Sequence, residues 1–98
     1  MHTVVRIYSG KGAAETIDLI IANKKDVKNL MHSVKGFIDY SVVKTEDGGF
    51  SVTVSKTEKA SEAITAAARE WVMANAKTLK AKPPKVMGGK VGLKVGAP

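Results

Sequence analysis

The residues able to do chemistry are few in this chain of 98 residues, and they form no familiar catalytic motif. There is no cysteine, which excludes disulfides, thiol nucleophiles and thiolate metal sites. His2 and His32 lack the spacing of metal ligands, so we expect no metal site. The spacing also assembles no Ser-His-Asp set and no pair of carboxylates. The remaining candidates are isolated cationic, amide and aromatic side chains.

Six residues are candidates for binding a small molecule: Lys24, Asn23, Trp71, Tyr40, Arg6 and Tyr8. Lys24 is a lone charge within an apolar stripe, between Ile21 and Val27. A lysine in such a position commonly extends its ammonium to the rim of the protein. If it were buried instead, its charge would be costly without a partner, and it would pair with an anion or a phenolate.

The other candidates each have a structural alternative. Asn23 precedes Lys24 and would share its pocket, or else lie on the surface. Trp71 is central on the apolar stripe of a second helix, where it either fills the core or forms a pocket wall. Arg6 and Tyr8 point to the same side of the first strand, where they line either a dimer interface or a ligand site.

The elements that would position these side chains follow from periodicity and turn residues. In chain order they are a strand over Thr3–Tyr8, a helix over Ala13–Val34, strands over Phe37–Thr45 and Phe50–Ser55, a helix that a capping box at Ser55–Glu58 opens and that ends near Ala76, and a strand over Lys90–Val95. This order predicts an α+β ferredoxin-like βαββαβ sandwich. Its four-stranded antiparallel sheet has the order 4-1-3-2, with both helices on one face.

The chain divides into a ferredoxin-like body over residues 1–76, a linker rich in Lys, Pro and Gly over residues 77–89, and a C-terminal strand region over residues 90–98. The linker exceeds the roughly two to six residues of a compact connection, and Pro83 and Pro84 stiffen it. Such a linker can carry the last strand onto a partner subunit, where we expect it to pack.

The register of the central hairpin decides which side chains face the helices. A bulged turn within Glu46–Gly49 would pair Val42 with Val52 and Tyr40 with Val54, whereas a two-residue turn at Asp47-Gly48 would shift the pairing by one. We favour the bulged turn because it gives one clean apolar face. Four apolar side chains are then left on the uncovered face: Val4, Tyr8, Phe37 and Val43. Such a face predicts a homodimer.

The formal net charge of +7 is concentrated at the C-terminal end. Residues 77–98 hold six lysines and no acid, whereas residues 1–76 hold ten basic and nine acidic residues. The basic end is either an arm for an acidic partner or a solubilising segment that protects an edge strand. Lysines without interleaved arginine or aromatic residues are weak support for nucleic acid, so nucleic acid is not expected as a partner.

An RNA-binding module is the alternative function, because the RNA-recognition motif has the same βαββαβ order. The stretch Gly48–Val54 has the glycine and one aromatic of the strand on which that module stacks bases. It lacks the leading basic residue, and Val52 stands where a second aromatic belongs.

Nothing in the sequence predicts membrane insertion or export. The longest apolar runs have four residues, as in Leu19–Ala22, far fewer than the roughly 18 that a transmembrane helix needs. Residues 1–6 do not have the pattern of a secretory signal. We therefore expect a cytoplasmic protein with no membrane partner.

The segment Val34-Lys35-Gly36-Phe37-Ile38-Asp39-Tyr40 resembles the V-x-G-F-x-x-Y strand entry of the antibiotic-biosynthesis-monooxygenase-like proteins. The stretch Glu70–Asn75 and the tail from Pro83 to Val95 are also similar to small members of that family. The resemblance implies ferredoxin-like protomers that pair sheet to sheet as a dimeric α+β barrel. It also implies one of three functions: cofactor-independent oxygenation, haem degradation, or no catalysis.

Haem-degrading members of the family use an Asn on strand 1, a Trp on strand 3 and a His on helix 2. This chain has Arg6 on strand 1 and neither of the other two residues, so we expect neither haem degradation nor a cofactor. The quinone-forming oxygenases place Asn, Trp, Tyr and Arg around a polyphenol pocket. This chain has those residue types among its candidates, although their positions cannot be matched to the motif.

The predicted function is therefore a cofactor-independent monooxygenase-like activity, or the binding of a small aromatic or acidic ligand, in a homodimer.

Overall fold

The computed structural model describes all 98 residues as one sheet covered by three helices. Its elements are β1 (His2–Tyr8), α1 (Ala13–Ala22), α2 (Lys24–His32), β2 (Phe37–Thr45), β3 (Gly48–Ser55), α3 (Glu58–Asn75) and β4 (Lys85–Lys90). The sheet is antiparallel with four strands in the order β2-β3-β1-β4. This is the predicted order read from the other edge, so the ferredoxin-like α+β fold is confirmed.

The first predicted helix is two helices, because the chain breaks at Asn23. The backbone of Asn23 leaves the helical region at φ −105° and ψ 37°, and its side-chain Nδ2 donates to the Leu19 carbonyl at 2.8 Å. Asparagine side chains compete in this way with helical hydrogen bonds. Lys24 therefore begins α2 as an exposed residue, while Val27 and Met31 bury the inner side of that helix.

The predicted hairpin register is wrong by one residue. Thr45 pairs with Gly48 and Val42 with Ser51, so the two turn residues are Glu46 and Asp47. The glycines belong to β3 because nothing larger fits there. A β-carbon at Gly48 would overlap the Tyr8 carbonyl oxygen, and one at Gly49 would overlap that of Val43.

The faces of β1 and β3 are the reverse of those predicted, whereas Tyr40, Val42 and Val43 of β2 lie on the predicted faces. Val4 and Tyr8, which we expected on the uncovered face, are buried, and Phe37 packs against the core cluster of Ile20, Val27, Met31 and Ile64. Of the four predicted side chains, only Val43 lies on the open face. The open face is nevertheless largely apolar. The strand pairing places seven apolar side chains on this face: Val5, Ile7, Val43, Phe50, Val52, Val54 and Met87.

The last strand begins earlier than predicted. β4 starts directly after Pro84 and pairs with β1 of the same chain, Val5 opposite Met87. The prediction placed the strand at Lys90–Val95 because apolar residues alternate there. The strand pattern of the observed β4 is weaker in the sequence because it contains Gly88 and Gly89. After Val91, whose N–H donates to the Met1 carbonyl at 2.9 Å, the chain has no regular structure. That residues 90–98 pack on a partner subunit stays a prediction.

None of the helices combines the length and the apolar character that crossing a bilayer requires.

We predict that the open face of the sheet forms the homodimer interface, and that Val52→Asp abolishes it. Val52 pairs with both Val5 and Ser41 at the centre of that face, and a carboxylate buried there would lack a partner. Sedimentation at micromolar concentration should give twice the 10.4 kDa protomer mass for the parent protein and the protomer mass for the variant. Ala66→Asp, on the exposed side of α3, is the matched control and should remain dimeric. A parent protein that sediments as a protomer would contradict this.

Candidate functional site

A buried arginine lies at the centre of the helix-covered face. β1 places Arg6 between Val4 and Tyr8 on that face, and only 4% of Arg6 is exposed. Its Nη1 donates to Oγ1 of Thr53 at 3.2 Å, and its Nη2 donates to Oγ1 of Thr65. The protein's one ion pair, Lys44 with Asp18, is on the surface, so no carboxylate accompanies the guanidinium.

Neutral hydroxyls compensate this charge only in part. An arginine carries five N–H donors and stays protonated in proteins, and moving such a cation out of water costs several kcal/mol. Burial accordingly lowers the pKa of Arg6. The guanidinium therefore keeps N–H donors that are unused, and its positive charge is not compensated. Both properties would favour an anionic or phenolic oxygen beside it.

Two tyrosines share the electrostatic environment of Arg6. Burial raises the pKa of the Tyr8 and Tyr40 phenols, and the charge of Arg6 opposes that rise in both. Both hydroxyls are thus protonated at neutral pH and can donate hydrogen bonds. The hydroxyl of Ser51 lies near Tyr40 but is buried without a partner in hydrogen-bond geometry. The region around Arg6 therefore holds more polar capacity than its own contacts use.

A cavity of about 400 Å³ opens beside Arg6, between α3, the sheet and the segment that precedes β4. Small and apolar side chains form most of its wall, among them Ala68, Val72 and Val86. Its charged lining consists of Arg6, Arg69 and Lys82, without any Asp or Glu. A cavity with apolar walls and a few convergent polar groups is typical of a small-molecule site.

One wall of the cavity is the segment Ala81–Pro84, which we name the strap. The strap packs on the turn before α1, where Gly12 has φ +80° and a β-carbon would lie 2.9 Å from the Ala81 Cα. Only glycine combines this backbone conformation with so close an approach. The Gly10–Gly12 turn therefore allows the strap to pack closely over the cavity.

The structure brings four of the six predicted site residues together. Arg6 and Tyr8 line the cavity, and with Tyr40 and Trp71 they surround a small interior void of about 10 Å³. Trp71 is thus both a core residue and a wall of that void.

The two remaining predicted residues lie elsewhere. Lys24 is exposed, and together with Tyr40 it lines a separate groove of about 490 Å³ between the first two helices and β2. Asn23 lines neither the cavity nor the groove, since its side chain bonds its own helix.

Sequence reasoning missed four polar residues of the cavity: Thr16, Thr65, Arg69 and Lys82. Thr65 and Arg69 are four residues apart and so share one side of α3, next to the apolar stripe that contains Ile64 and Ala68. That spacing was a readable signal of a polar margin facing the sheet. Lys82 carried no such signal, because only the folded strap brings it to the cavity.

The cavity does not suit haem. Proteins most often hold haem iron through histidine or cysteine, and neither residue lines the cavity. His2 instead contacts Ser61 at 2.9 Å, and His32 is exposed beside Phe37. Tyr8 is a poor alternative ligand because its raised pKa disfavours the phenolate.

The open face also lacks the aromatic platform on which RNA-recognition motifs stack bases. Phe50 is the one aromatic side chain there, whereas Tyr8 and Tyr40 lie beneath the helices. No feature of this face favours the nucleic-acid alternative.

We predict that Arg6→Met is neutral or raises the free energy of unfolding by about 1–2 kcal/mol, because it removes a desolvated charge and leaves no partner charge behind. The variant should also raise the pKa of Tyr8 and Tyr40 further, since the Arg6 charge now lowers both. Tyrosines ionise near pH 10 when unfolded, so their raised pKa stabilises the fold below about pH 10. That stabilisation is lost as the pH rises through the folded values.

An absorbance titration of tyrosinate would show the shift, and urea unfolding would give the stability. Destabilisation by more than about 3 kcal/mol would instead make Arg6 a structural residue.

Comparison with known proteins matches the whole chain to solved structures, while no protein-family model and no curated protein matches. A mutant of MhuD, solved with two manganese protoporphyrin IX per active site, is 19% identical with a TM-score of 0.68, and each chain is covered over 98%. The ActVA-Orf6 monooxygenase of Streptomyces coelicolor, solved with Nanaomycin D, is 21% identical with a TM-score of 0.64, covering 98% of this chain and 91% of that one.

SnoaB from Streptomyces nogalater, a cofactor-independent oxygenase, is 13% identical with a TM-score of 0.66, covering 96% of this chain and 95% of that one. Two further structures carry the description "putative antibiotic biosynthesis monooxygenase". At these identities the likeness concerns the fold. The chain has the fold of the antibiotic-biosynthesis-monooxygenase-like proteins.

Proposed function

We propose that the protein binds a small aromatic molecule with a phenolic or acidic oxygen in the cavity beside Arg6, and oxidises it with dioxygen without a cofactor. The observation that carries the proposal is the buried guanidinium, which has no carboxylate partner and faces a cavity that contains none. The chain shares its fold with SnoaB and the ActVA-Orf6 protein, which are described as an oxygenase and a monooxygenase, and this likeness supports the proposed oxidation.

Ligand binding would complete the interactions that Arg6 lacks. A phenolic oxygen beside the guanidinium accepts a hydrogen bond from one of its unused N–H groups. A phenolate adds electrostatic attraction, which the desolvated surroundings strengthen. The ring meets the apolar wall of Ala68, Val72 and Val86. The ligand thereby replaces the solvent that Arg6 lost on folding.

The same contact supplies the chemistry that the protein itself can contribute. No Asp, Glu or His lines the cavity, so Arg6 acts by favouring the ionised form of the ligand rather than by accepting its proton. A phenolate donates electrons to dioxygen more readily than a phenol does. In the overall step a phenol and dioxygen give a quinone and water. One oxygen atom becomes the new carbonyl, and the other leaves in water with the two hydrogens lost from the ring C–H and the O–H.

Binding of 2-naphthol, followed by the quenching of Trp71 fluorescence, tests the site. Arg6→Met should weaken binding by about tenfold, the size of one charge-assisted hydrogen bond. Lys24→Met, which removes one of the two lysines that line the other groove, is the matched control and should leave binding unchanged. The reverse pattern would place the ligand in the groove and contradict the proposal.

Oxidation is tested with 1,5-dihydroxynaphthalene, whose conversion to the hydroxyquinone consumes one dioxygen and releases one water. An oxygen electrode should record consumption by the parent protein and its loss in Arg6→Met. Binding without oxygen consumption would refute the enzymatic part and leave a ligand-binding protein.

A further inference from the structure

Two cations besides Arg6 line the same cavity and have no role in the contacts described so far. Arg69 lies on α3 and Lys82 on the strap, and both side chains are exposed. Neither takes part in an ion pair, because the protein's single ion pair lies elsewhere. The cavity thus has a buried cation at its inner end and exposed cations at its mouth.

The separation of these charges follows from α3. Thr65, which accepts from Arg6, is four residues before Arg69, and four residues of helix rise about 6 Å. Arg69 therefore projects from the same side of α3 one turn further along. The two guanidinium groups repel each other electrostatically, since the charge of Arg69 adds to the effect of burial in lowering the pKa of Arg6.

Like charges gathered around a cavity without acids need an explanation, because their repulsion opposes folding. The strap adds Lys82 from the opposite side, and the Gly10–Gly12 turn holds the strap close. An anionic group at the mouth would be met by Arg69 and Lys82 together, from two separate elements. Most of the remaining wall is apolar, which suits a ring system better than a fully hydrated anion.

We propose that the cavity selects a two-ended ligand, a hydroxylated aromatic carboxylic acid, with its hydroxyl oxygen at Arg6 and its carboxylate at Arg69 and Lys82. This assignment rests on the proposed function and narrows its substrate class. Arg69 and Lys82 are specificity-determining residues, whereas Arg6 binds acidic and neutral ligands alike.

The test compares 6-hydroxy-2-naphthoic acid with its methyl ester and with 2-naphthol, all titrated against the parent protein. The acid should bind about five- to tenfold more tightly than either neutral molecule, the range expected for exposed charge pairs made with two cations. The double variant Arg69→Gln, Lys82→Gln should remove that preference, so that it binds the acid and the methyl ester equally. The preference should also shrink in high salt, because both cations are exposed to solvent.

Lys85→Gln is the matched control, because Lys85 is an exposed lysine that follows the strap but does not line the cavity. It should keep the preference for the acid. Equal binding of the acid and its ester to the parent protein would overturn the inference. If 2-naphthol still binds in that case, the proposed function is not contradicted. A preference that survives the double variant would also overturn it. If none of the three molecules binds, the proposed function fails, and the inference fails with it.

Discussion

The rest of the site depends on a single unbalanced charge. Arg6 is held inside the protein by two threonine hydroxyls and by no acid. A buried cation in such surroundings is costly, and replacing it with an apolar side chain of similar size would remove that cost. We therefore interpret Arg6 as a residue that serves binding rather than stability.

The fold positions this charge by the alternation of β1. Successive residues of the strand point to opposite faces, so Arg6 and Tyr8 turn inward while Val5 and Ile7 turn to the open face. On β1 and β3 the helix-covered face accordingly carries most of the polar side chains, among them Arg6, Ser51 and Thr53, and the open face carries mainly apolar ones. The polar side of the sheet is thus the enclosed one, which inverts the usual arrangement of a sheet with one covered face. This inversion is consistent with the proposed binding site beneath the helices and with the predicted homodimer interface on the open face.

The sequence predicts the topology well because strands, helices and their order are local properties. The register was not predictable in the same way. Gly48 and Gly49 looked like turn residues, but the carbonyl oxygens of Tyr8 and Val43 require them inside β3, and those contacts exist only after folding. The same limit hid the partners of Arg6, which lie 47 and 59 residues further along the chain.

The candidate site was predictable by residue type more than by place. Arg6, Tyr8, Tyr40 and Trp71 were recognised and do lie together. Lys24 was recognised because it interrupts an apolar stripe, and the helix break at Asn23 places it, exposed, on a separate groove between the helices and β2. The strap completed the cavity from a segment whose composition indicated only a linker.

NMR of the guanidinium nitrogens can test the central claim, which is that Arg6 is a buried cation that binds an oxygen atom of a ligand. The chain has two arginines, Arg6 and Arg69, so each signal is assignable from one variant. We predict that the Arg6 N–H protons exchange slowly with water in the free protein, and that 2-naphthol shifts the Arg6 signal more than the Arg69 signal. An Arg6 signal that exchanges as fast as that of Arg69 and does not respond to saturating 2-naphthol would contradict the claim.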